Sequence, residues 1–151
     1  MSDFVTVTSD DSIAYEGEVA IITLVNAAKR NTLAGPVMEA IIEALDEIGK
    51  SDTLGVIIAA EGPAFSAGHD FTDMAGANLS DAQQLFDICE RMMTLVQNIP
   101  QVVIAQVQGI ATAAGCQLVA SCDLAVASDQ AKFQTPGGKG GLFCHTPMVA
   151  V

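Results

Sequence analysis

Two short and almost entirely apolar segments, separated by a helical stretch, constrain the fold of this chain more than any other feature of its sequence. The segments are GVIIAA at 55–60 and VVIAQV at 102–107. Between them, from about Asp81 to Gln97, apolar residues recur at the three- and four-residue spacing of an amphipathic helix. Strand, helix and strand in this order predict parallel pairing through a right-handed crossover. The carboxyl ends of both strands then lie along one edge of the sheet.

The remaining segments complete a single α/β domain over residues 1–151. SIAYEGEVAIITLVN predicts two strands of a hairpin around Glu16 and Gly17, and LAVAS at 124–128 predicts a further strand. GPVMEAIIEALDEIGK predicts a surface helix with Pro36 in its first turn and Gly49 at its end. Its apolar stripe consists of Met38, Ile41, Ile42, Leu45 and Ile48.

Composition and charge exclude several classes of function. The net charge of −12 opposes binding to nucleic acid or anionic lipid, and no apolar run reaches the roughly 18 residues of a membrane helix. Four cysteines without C-x-x-C spacing and only two histidines argue against a metal site and favour reduced, packed thiols. The N-terminus lacks the pattern of a signal or transit peptide, which predicts a cytoplasmic protein. With half of its residues apolar, a chain of this length is expected to leave some apolar surface uncovered.

Segments of small residues follow both apolar strands. EGPAFSAGHDFTDM begins after the first strand and QGIATAAGCQ after the second, and ligands of open α/β sheets bind at this edge. Gly and Ala let a ligand approach main-chain N–H groups, so two such donors can form an oxyanion hole. Tight turns and close helix packing explain the small residues about equally well.

Four ordered motifs resemble those of the crotonase superfamily, also called the enoyl-CoA hydratase/isomerase family. The motifs are KRNTL, GPAFSAGHDFTDM, VQGIATAAGCQLVASCDLAVAS and AKFQTPGGKGGLFCHTP. Within the family, they are most similar to the group of enoyl-CoA hydratase domain-containing protein 3, over residues from about 18 to 151. The resemblance implies a spiral of β-β-α units, here without the C-terminal helical part of the family.

The resemblance also implies a ligand and the residues that hold it. Family members bind acyl-coenzyme A thioesters as substrates, need no further cofactor, and form trimers or hexamers. By motif match, the oxyanion donors are the backbone N–H groups of His69 and Ala114. Residues of the first small-residue segment and a basic pair match the positions that bind coenzyme A. These are Lys29, Arg30, Ala67, Gly68 and Asp70.

Two departures from the family pattern bear on catalysis. The two glutamates of the family's hydratases fall on Gln117 and Gly137, so both carboxylates are absent. General acid or base catalysis contributes roughly 100- to 10,000-fold per group, and we expect hydratase activity to be weak or absent. Gln117 can still orient water or substrate through hydrogen bonds. His145 is the first candidate for a replacement base, whereas Cys116 and Cys144 are interpreted as inert, packed thiols.

Three functions remain open at this point. The first is a lyase, isomerase or hydrolase that uses the oxyanion hole with His145 or a bound water. The second is a non-catalytic acyl-coenzyme A binder or regulator of lipid metabolism. The third is a truncated fragment that associates only through its apolar surface, because the sequence ends about one turn into a helix predicted to be capped by Thr146.

Overall fold

The computed structural model describes residues 2–12, 17–141 and 145–151. Eight strands are found in this part of the chain: β1 Val5–Asp10, β2 Val19–Leu24, β3 Gly55–Ala60, β4 Ala64–Ser66, β5 Val102–Val107, β6 Ile110–Thr112, β7 Leu124–Ala127 and β8 Lys132–Gln134. The α-helices of the same residues are α1 Gly35–Ile48, α2 Phe71–Met74, α3 Leu79–Asn98, α4 Ala114–Ser121 and α5 His145–Ala150. Two short 3-10 helices cover Ala27–Lys29 and Pro136–Gly140.

The strands form two sheets. The larger has the order β1-β2-β3-β5-β7, in which β1 is antiparallel to β2 and every other pair is parallel. The smaller has the order β4-β6-β8 and is parallel throughout. The predicted parallel pairing of the two apolar strands is therefore confirmed, and so is the strand at 124–127.

The register of the larger sheet places its fully buried side chains on one face. Ala20 and Ile22 of β2 lie opposite Val56 and Ile58 of β3, which lie opposite Val103 and Ala105 of β5. A slip by one residue would turn these side chains to the other face, so burial fixes the register. Helices α1 and α3 pack against each other, and their buried residues belong to the same core as those of the sheet.

The two long helices follow their apolar periodicity. Helix α1 has Pro36 in its first turn and ends before Gly49, as predicted. Helix α3 begins two residues earlier than predicted because the side chain of Asn78 accepts a hydrogen bond from the Asp81 N–H group at 3.0 Å.

Other local features differ from the predictions. The strand that pairs antiparallel with β2 is β1 at Val5–Asp10, which was not predicted, whereas the strand predicted directly before Glu16 falls on residues 13–16, outside the described residues. Helix α5 begins at His145, one residue before the predicted cap at Thr146. The three strands of the smaller sheet were missed, because three residues are too few to show an alternating pattern.

Some apolar side chains are left uncovered, as composition predicted. Leu124 and Val126 of β7 are 59% and 65% exposed, and Phe133 of β8 is 48% exposed. Among the described helices, none is both long and apolar enough to cross a membrane. The described part of the chain holds no cluster of three or more His, Cys, Asp or Glu side chains suited to a metal ion.

Candidate functional site

The first small-residue segment forms a bend directly after β4, which we call the first bend and define as residues 66–69. Gly68 has a φ of +83°, a conformation that glycine adopts without steric cost. The buried hydroxyl of Ser66 donates to the Asn31 carbonyl at 2.7 Å and accepts from the Gly68 N–H group at 3.2 Å. The serine thereby fixes the backbone of the bend from inside the protein.

Backbone hydrogen bonds tie the first bend to the segment that carries the basic pair. The Ala67 N–H group donates to the Arg30 carbonyl at 3.0 Å, and the Leu33 N–H group donates to the Gly68 carbonyl at 2.8 Å. The buried Asn31 side chain donates to the carbonyls of Glu61 and Ala64 at 2.8 and 2.9 Å. The two segments are thus held as one unit.

The sequence reasoning missed Asn31 and Ser66 as supports of this bend. Asn31 has a φ of 51°, in the left-handed region that asparagine tolerates better than most residues. The asparagine within the KRNTL motif was the signal that would have pointed to it.

The second small-residue segment forms a bend between β6 and α4, which we call the second bend and define as residues 113–115. Ala113 has φ 52° and ψ −123°, a conformation strained for any residue with a side chain. Its N–H group donates to the Gln134 carbonyl of β8 at 2.9 Å. Ala114 then opens helix α4, so its N–H group is one of those left without a helical partner at a helix start.

The two bends lie directly against each other. A Cβ atom on Gly68 would lie 2.9 Å from the Ala113 Cβ and 3.1 Å from the Ala114 nitrogen. A Cβ atom on Gly115 would lie 2.5 Å from the Ser66 carbonyl oxygen. These contacts leave no room for a side chain at either glycine. Because β4 and β6 are parallel neighbours, their carboxyl ends bring both bends to one edge of the smaller sheet.

The His69 side chain extends from the first bend into a partly buried position. Its Nδ1 atom lies 3.3 Å from the Leu33 carbonyl oxygen. The Phe86 ring of α3 meets the imidazole edge to face, with ring centres 5.9 Å apart. Burial lowers the pKa of His69 below its usual value, although the Leu33 carbonyl and the Asp73 carboxylate oppose this effect.

Asp70 braces the start of α2. Its carboxylate accepts hydrogen bonds from the N–H and hydroxyl groups of Thr72 at 2.9 and 2.8 Å, and it pairs with the Lys29 ammonium at 3.1 Å. These bonds, led by the Thr72 N–H group, lower the pKa of Asp70 to about 2. Lys29 and Asp70 line a cleft of 270 Å³ beside Phe4, Pro36 and Asp73. Arg30 is exposed, and its carbonyl rather than its side chain contacts the first bend.

Gln117 lies one turn into α4, where its N–H group donates to the Ala113 carbonyl at 3.1 Å. Its side chain is buried, and within the described residues its Oε1 atom has no hydrogen-bond partner. Gly137 lies in the 3-10 helix after β8, the strand that bonds to Ala113.

The remaining candidates divide between described and undescribed parts of the chain. His145 begins α5, but its side chain lies outside what the structure describes. Cys144 also lies outside the described residues. Cys116 is buried, and this burial raises its thiol pKa, consistent with a packing role.

Comparison with known proteins identifies relatives over nearly the whole chain. Residues 14–150 match the family model described as enoyl-CoA hydratase/isomerase. Enoyl-CoA hydratase domain-containing protein 3, mitochondrial, is 46% identical in Danio rerio over 90% of this chain and 48% of the relative. The Rattus norvegicus protein of the same name is 47% identical over 86% of this chain and 44% of the relative. The chain thus spans about half the length of the curated relatives it matches.

Solved structures show the same similarity. The crystal structure of human enoyl-coenzyme A hydratase domain-containing protein 3 matches with a TM-score of 0.89 and 42% identity, over 97% of this chain and 56% of that chain. An enoyl-CoA hydratase from Mycobacterium smegmatis matches with a TM-score of 0.91 and 40% identity, over 99% of this chain and 57% of that chain.

The relatives correct the predicted cellular location. Cytoplasmic placement was wrong, since the names of the relatives in Danio rerio and Rattus norvegicus assign those proteins to mitochondria. The prediction rested on the composition of the first residues alone. A targeting segment is read separately from the folded domain, so the domain sequence carries no information on the compartment.

Proposed function

The chain belongs to the enoyl-CoA hydratase/isomerase family and has its crotonase-like α/β fold, and we propose that it binds acyl-coenzyme A thioesters at the edge of the smaller sheet where its two bends meet. The thioester oxygen accepts hydrogen bonds from the backbone N–H groups of His69 and Ala114. The observation that supports this proposal is the direct contact of the bends, in which the space for a Gly68 side chain is filled by Ala113 and Ala114.

Two fixed backbone donors at one oxygen suit a thioester in particular. Negative charge that develops on the carbonyl oxygen is stabilised by roughly 3 to 4 kcal/mol per donor in a site that excludes water. The Ala114 donor gains further from its place at the start of α4, where the helix dipole favours negative charge.

The nucleotide portion of the ligand is assigned to the segment with Lys29 and Arg30. Both side chains are exposed, and this segment holds two of the six basic residues of a strongly acidic chain. Lys29 already pairs with Asp70, so a ligand phosphate competes with that carboxylate for the ammonium group. The exchange costs little, because the ammonium end of this pair is exposed and such pairs contribute at most about 1 kcal/mol, while the buried Asp70 carboxylate keeps its hydrogen bonds from Thr72.

Water addition is not part of the proposed function. Gln117 cannot accept a proton from water at neutral pH, and Gly137 has no side chain. The Oε1 atom of Gln117, which has no partner among the described residues, instead supports a role as a hydrogen-bond acceptor for ligand or water.

Calorimetric titration tests binding with a matched pair of ligands. Butyryl-coenzyme A has the thioester carbonyl, whereas the thioether analogue of the same length lacks it. We expect the thioester to bind at least tenfold more tightly, because only its oxygen engages the two N–H groups. Equal affinities would contradict the assignment of the oxyanion site.

Hydration of crotonyl-coenzyme A, followed by loss of its enone absorbance, tests the expectation that the chain does not catalyse water addition. We expect background rates from the 151-residue chain. Turnover at the level of ordinary hydratases would show that Gln117 and Gly137 do not prevent water addition.

A further inference from the structure

Of the two proposed oxyanion donors, His69 and Ala114, His69 also has a titratable side chain, its imidazole. Its backbone N–H group follows Gly68 in the first bend, and its ring is held at two points. Nδ1 faces the Leu33 carbonyl oxygen at 3.3 Å, and the Phe86 ring fixes the plane of the imidazole. Leu33 in turn donates its N–H group to the Gly68 carbonyl at 2.8 Å, so the ring and the bend share one anchor.

This anchoring determines which ring nitrogen is free to take a proton. A carbonyl oxygen only accepts hydrogen bonds, so Nδ1 carries the hydrogen in the Leu33 contact. In the neutral ring the lone pair then lies on Nε2, on the opposite side of the imidazole. His69 is only partly buried, so part of the residue remains accessible to a ligand.

We infer that the His69 imidazole is the base that removes a proton from the carbon next to the thioester carbonyl, so that one residue provides both an oxyanion donor and a base. The inference rests on the proposed function, because it places the thioester at the His69 N–H group. It also gives the site a proton acceptor that Gln117 and Gly137 do not provide.

The step balances without any further reactant. The C–H bond breaks, and its proton moves to Nε2. The electron pair of that bond forms the carbon–carbon double bond of an enolate, and the carbonyl π pair moves to the oxygen between the two N–H groups. The imidazolium keeps its Nδ1 hydrogen on the Leu33 carbonyl. Return of a proton to the same carbon regenerates the thioester, and its return further along a conjugated chain moves a double bond.

The charges around the ring suit this cycle. Burial lowers the pKa of His69 and so keeps the imidazole in its neutral form, with a free lone pair, at pH 7. The described charged group that acts on the ring is the Asp73 carboxylate, which favours the imidazolium once it has formed. Helix α3 contributes the uncharged Phe86 at this point.

Deuterium exchange tests the inference on the 151-residue chain. Butyryl-coenzyme A is incubated with the protein in D₂O, and incorporation next to the carbonyl is followed by mass spectrometry or NMR. We expect protein-dependent exchange that rises with pH, since the neutral imidazole is the active form. The rate should level off once the pH exceeds the pKa of His69, which lies below 6.5. We expect His69→Gln to slow exchange at least 100-fold while the dissociation constant of butyryl-coenzyme A stays within threefold.

A second variant separates a chemical role from a structural one. His69→Ala leaves space beside Phe86, and we expect added imidazole to restore exchange in proportion to its concentration. Circular dichroism of each variant establishes that the fold is retained. Restored exchange would support the inference, because imidazole in solution can replace a side chain that acts as a base but not one that only fills space.

The possible outcomes are distinct. Exchange at the wild-type rate in folded His69→Gln would overturn the inference. Tight thioester binding by the wild-type chain without exchange would overturn it as well, and would leave the proposed binding function intact. Failure to bind the thioester at all would overturn both.

Discussion

The two bends are in contact with each other but are held in place by different means. The first bend turns at Gly68, whose φ of +83° costs glycine nothing, and hydrogen bonds to residues 30–33 fix its position. The second turns at Ala113, whose φ of 52° and ψ of −123° are strained. Within the described residues, its backbone is held by Gln134 and by the close contact of Gly115 with Ser66.

The comparison shows that the first bend is fixed mainly by hydrogen bonds, whereas the second combines a hydrogen bond with packing. Strained backbone of this kind costs about 1–3 kcal/mol and persists only where the surroundings force it. At Ala113 that force comes from the bond to Gln134 and from the contact with the first bend. The first bend is therefore expected to hold its shape without the second, and the second to depend in part on the first.

The largest effect is expected from Gly115→Ala. The new Cβ would lie 2.5 Å from the Ser66 carbonyl oxygen and 2.7 Å from the Ser66 Cβ, so backbone must move. We expect a loss of about 3 kcal/mol in the free energy of unfolding, measured by urea denaturation. The control is Gly35→Ala, where no atom lies within 4 Å of the added Cβ. Similar stability of the two variants would show that the bends do not pack as described.

Gly68→Ala ranks next, and Gly76→Ala is its matched control. Both glycines have positive φ, +83° and +78°, but only at Gly68 does an added Cβ meet neighbours, the Ala113 Cβ and the Thr112 oxygen at 2.9 Å. We expect both variants to lose about 1 kcal/mol from strain, and Gly68→Ala to lose about 1–2 kcal/mol more. It should also lose thioester affinity, which Gly76→Ala should keep. Equal losses of stability and affinity in the two variants would contradict the contact between the bends.

Ala113→Gly is expected to stabilise the protein. Relief of strain exceeds the entropy cost of a glycine by about 1 kcal/mol. The control is Ala120→Gly within α4, where we expect a loss of up to about 1 kcal/mol because alanine favours the helical conformation over glycine. A higher melting temperature for Ala113→Gly and a lower one for Ala120→Gly would sharpen the contrast between the bends. A lower melting temperature for both variants would mean that Ala113 is not strained.

The smallest effect concerns the outer support of the first bend at Asp70. The Lys29 side chain is 62% exposed, so Lys29→Gln should change stability at pH 7 by less than about 1 kcal/mol. Thr72→Val removes a hydroxyl donor and Lys29→Gln removes an ammonium group, and because both groups lower the Asp70 pKa, each variant should raise it. NMR titration of the Asp70 carboxyl group measures both shifts, and an unchanged Asp70 pKa in either variant would contradict this assignment.

The lowered pKa of Asp70 makes the free energy of unfolding depend on pH. Its pKa is about 2 in the folded chain against 3.8 for an unperturbed carboxyl group. The stability that Asp70 contributes is therefore fully present above pH 3.8 and is lost as pH falls towards 2.

Much of the fold could be predicted because long apolar patterns are strong signals. GVIIAA and VVIAQV became β3 and β5 with the predicted ends, and α1 followed its stripe. The strand Val5–Asp10 was missed because its exposed side chains give a mostly polar pattern. The smaller sheet was missed because its strands are too short to be recognised without their neighbours.

The site was predictable only in outline. Motif and strand order placed His69 and Ala114 at one edge, which the structure brings together through β4 and β6. The strain at Ala113 left no trace in the sequence, since alanine is common in all kinds of structure. The tautomer of His69 also depends on a distant carbonyl, that of Leu33, which only the folded chain brings near.

Infrared spectroscopy of a bound thioester labelled with ¹³C at its carbonyl group tests most directly whether two N–H groups meet one oxygen. Hydrogen bonds from His69 and Ala114 weaken the C=O bond, so we predict a stretching frequency below that of the same thioester free in water. Saturable binding with an unshifted carbonyl frequency would show that the oxygen lies elsewhere and would contradict the account.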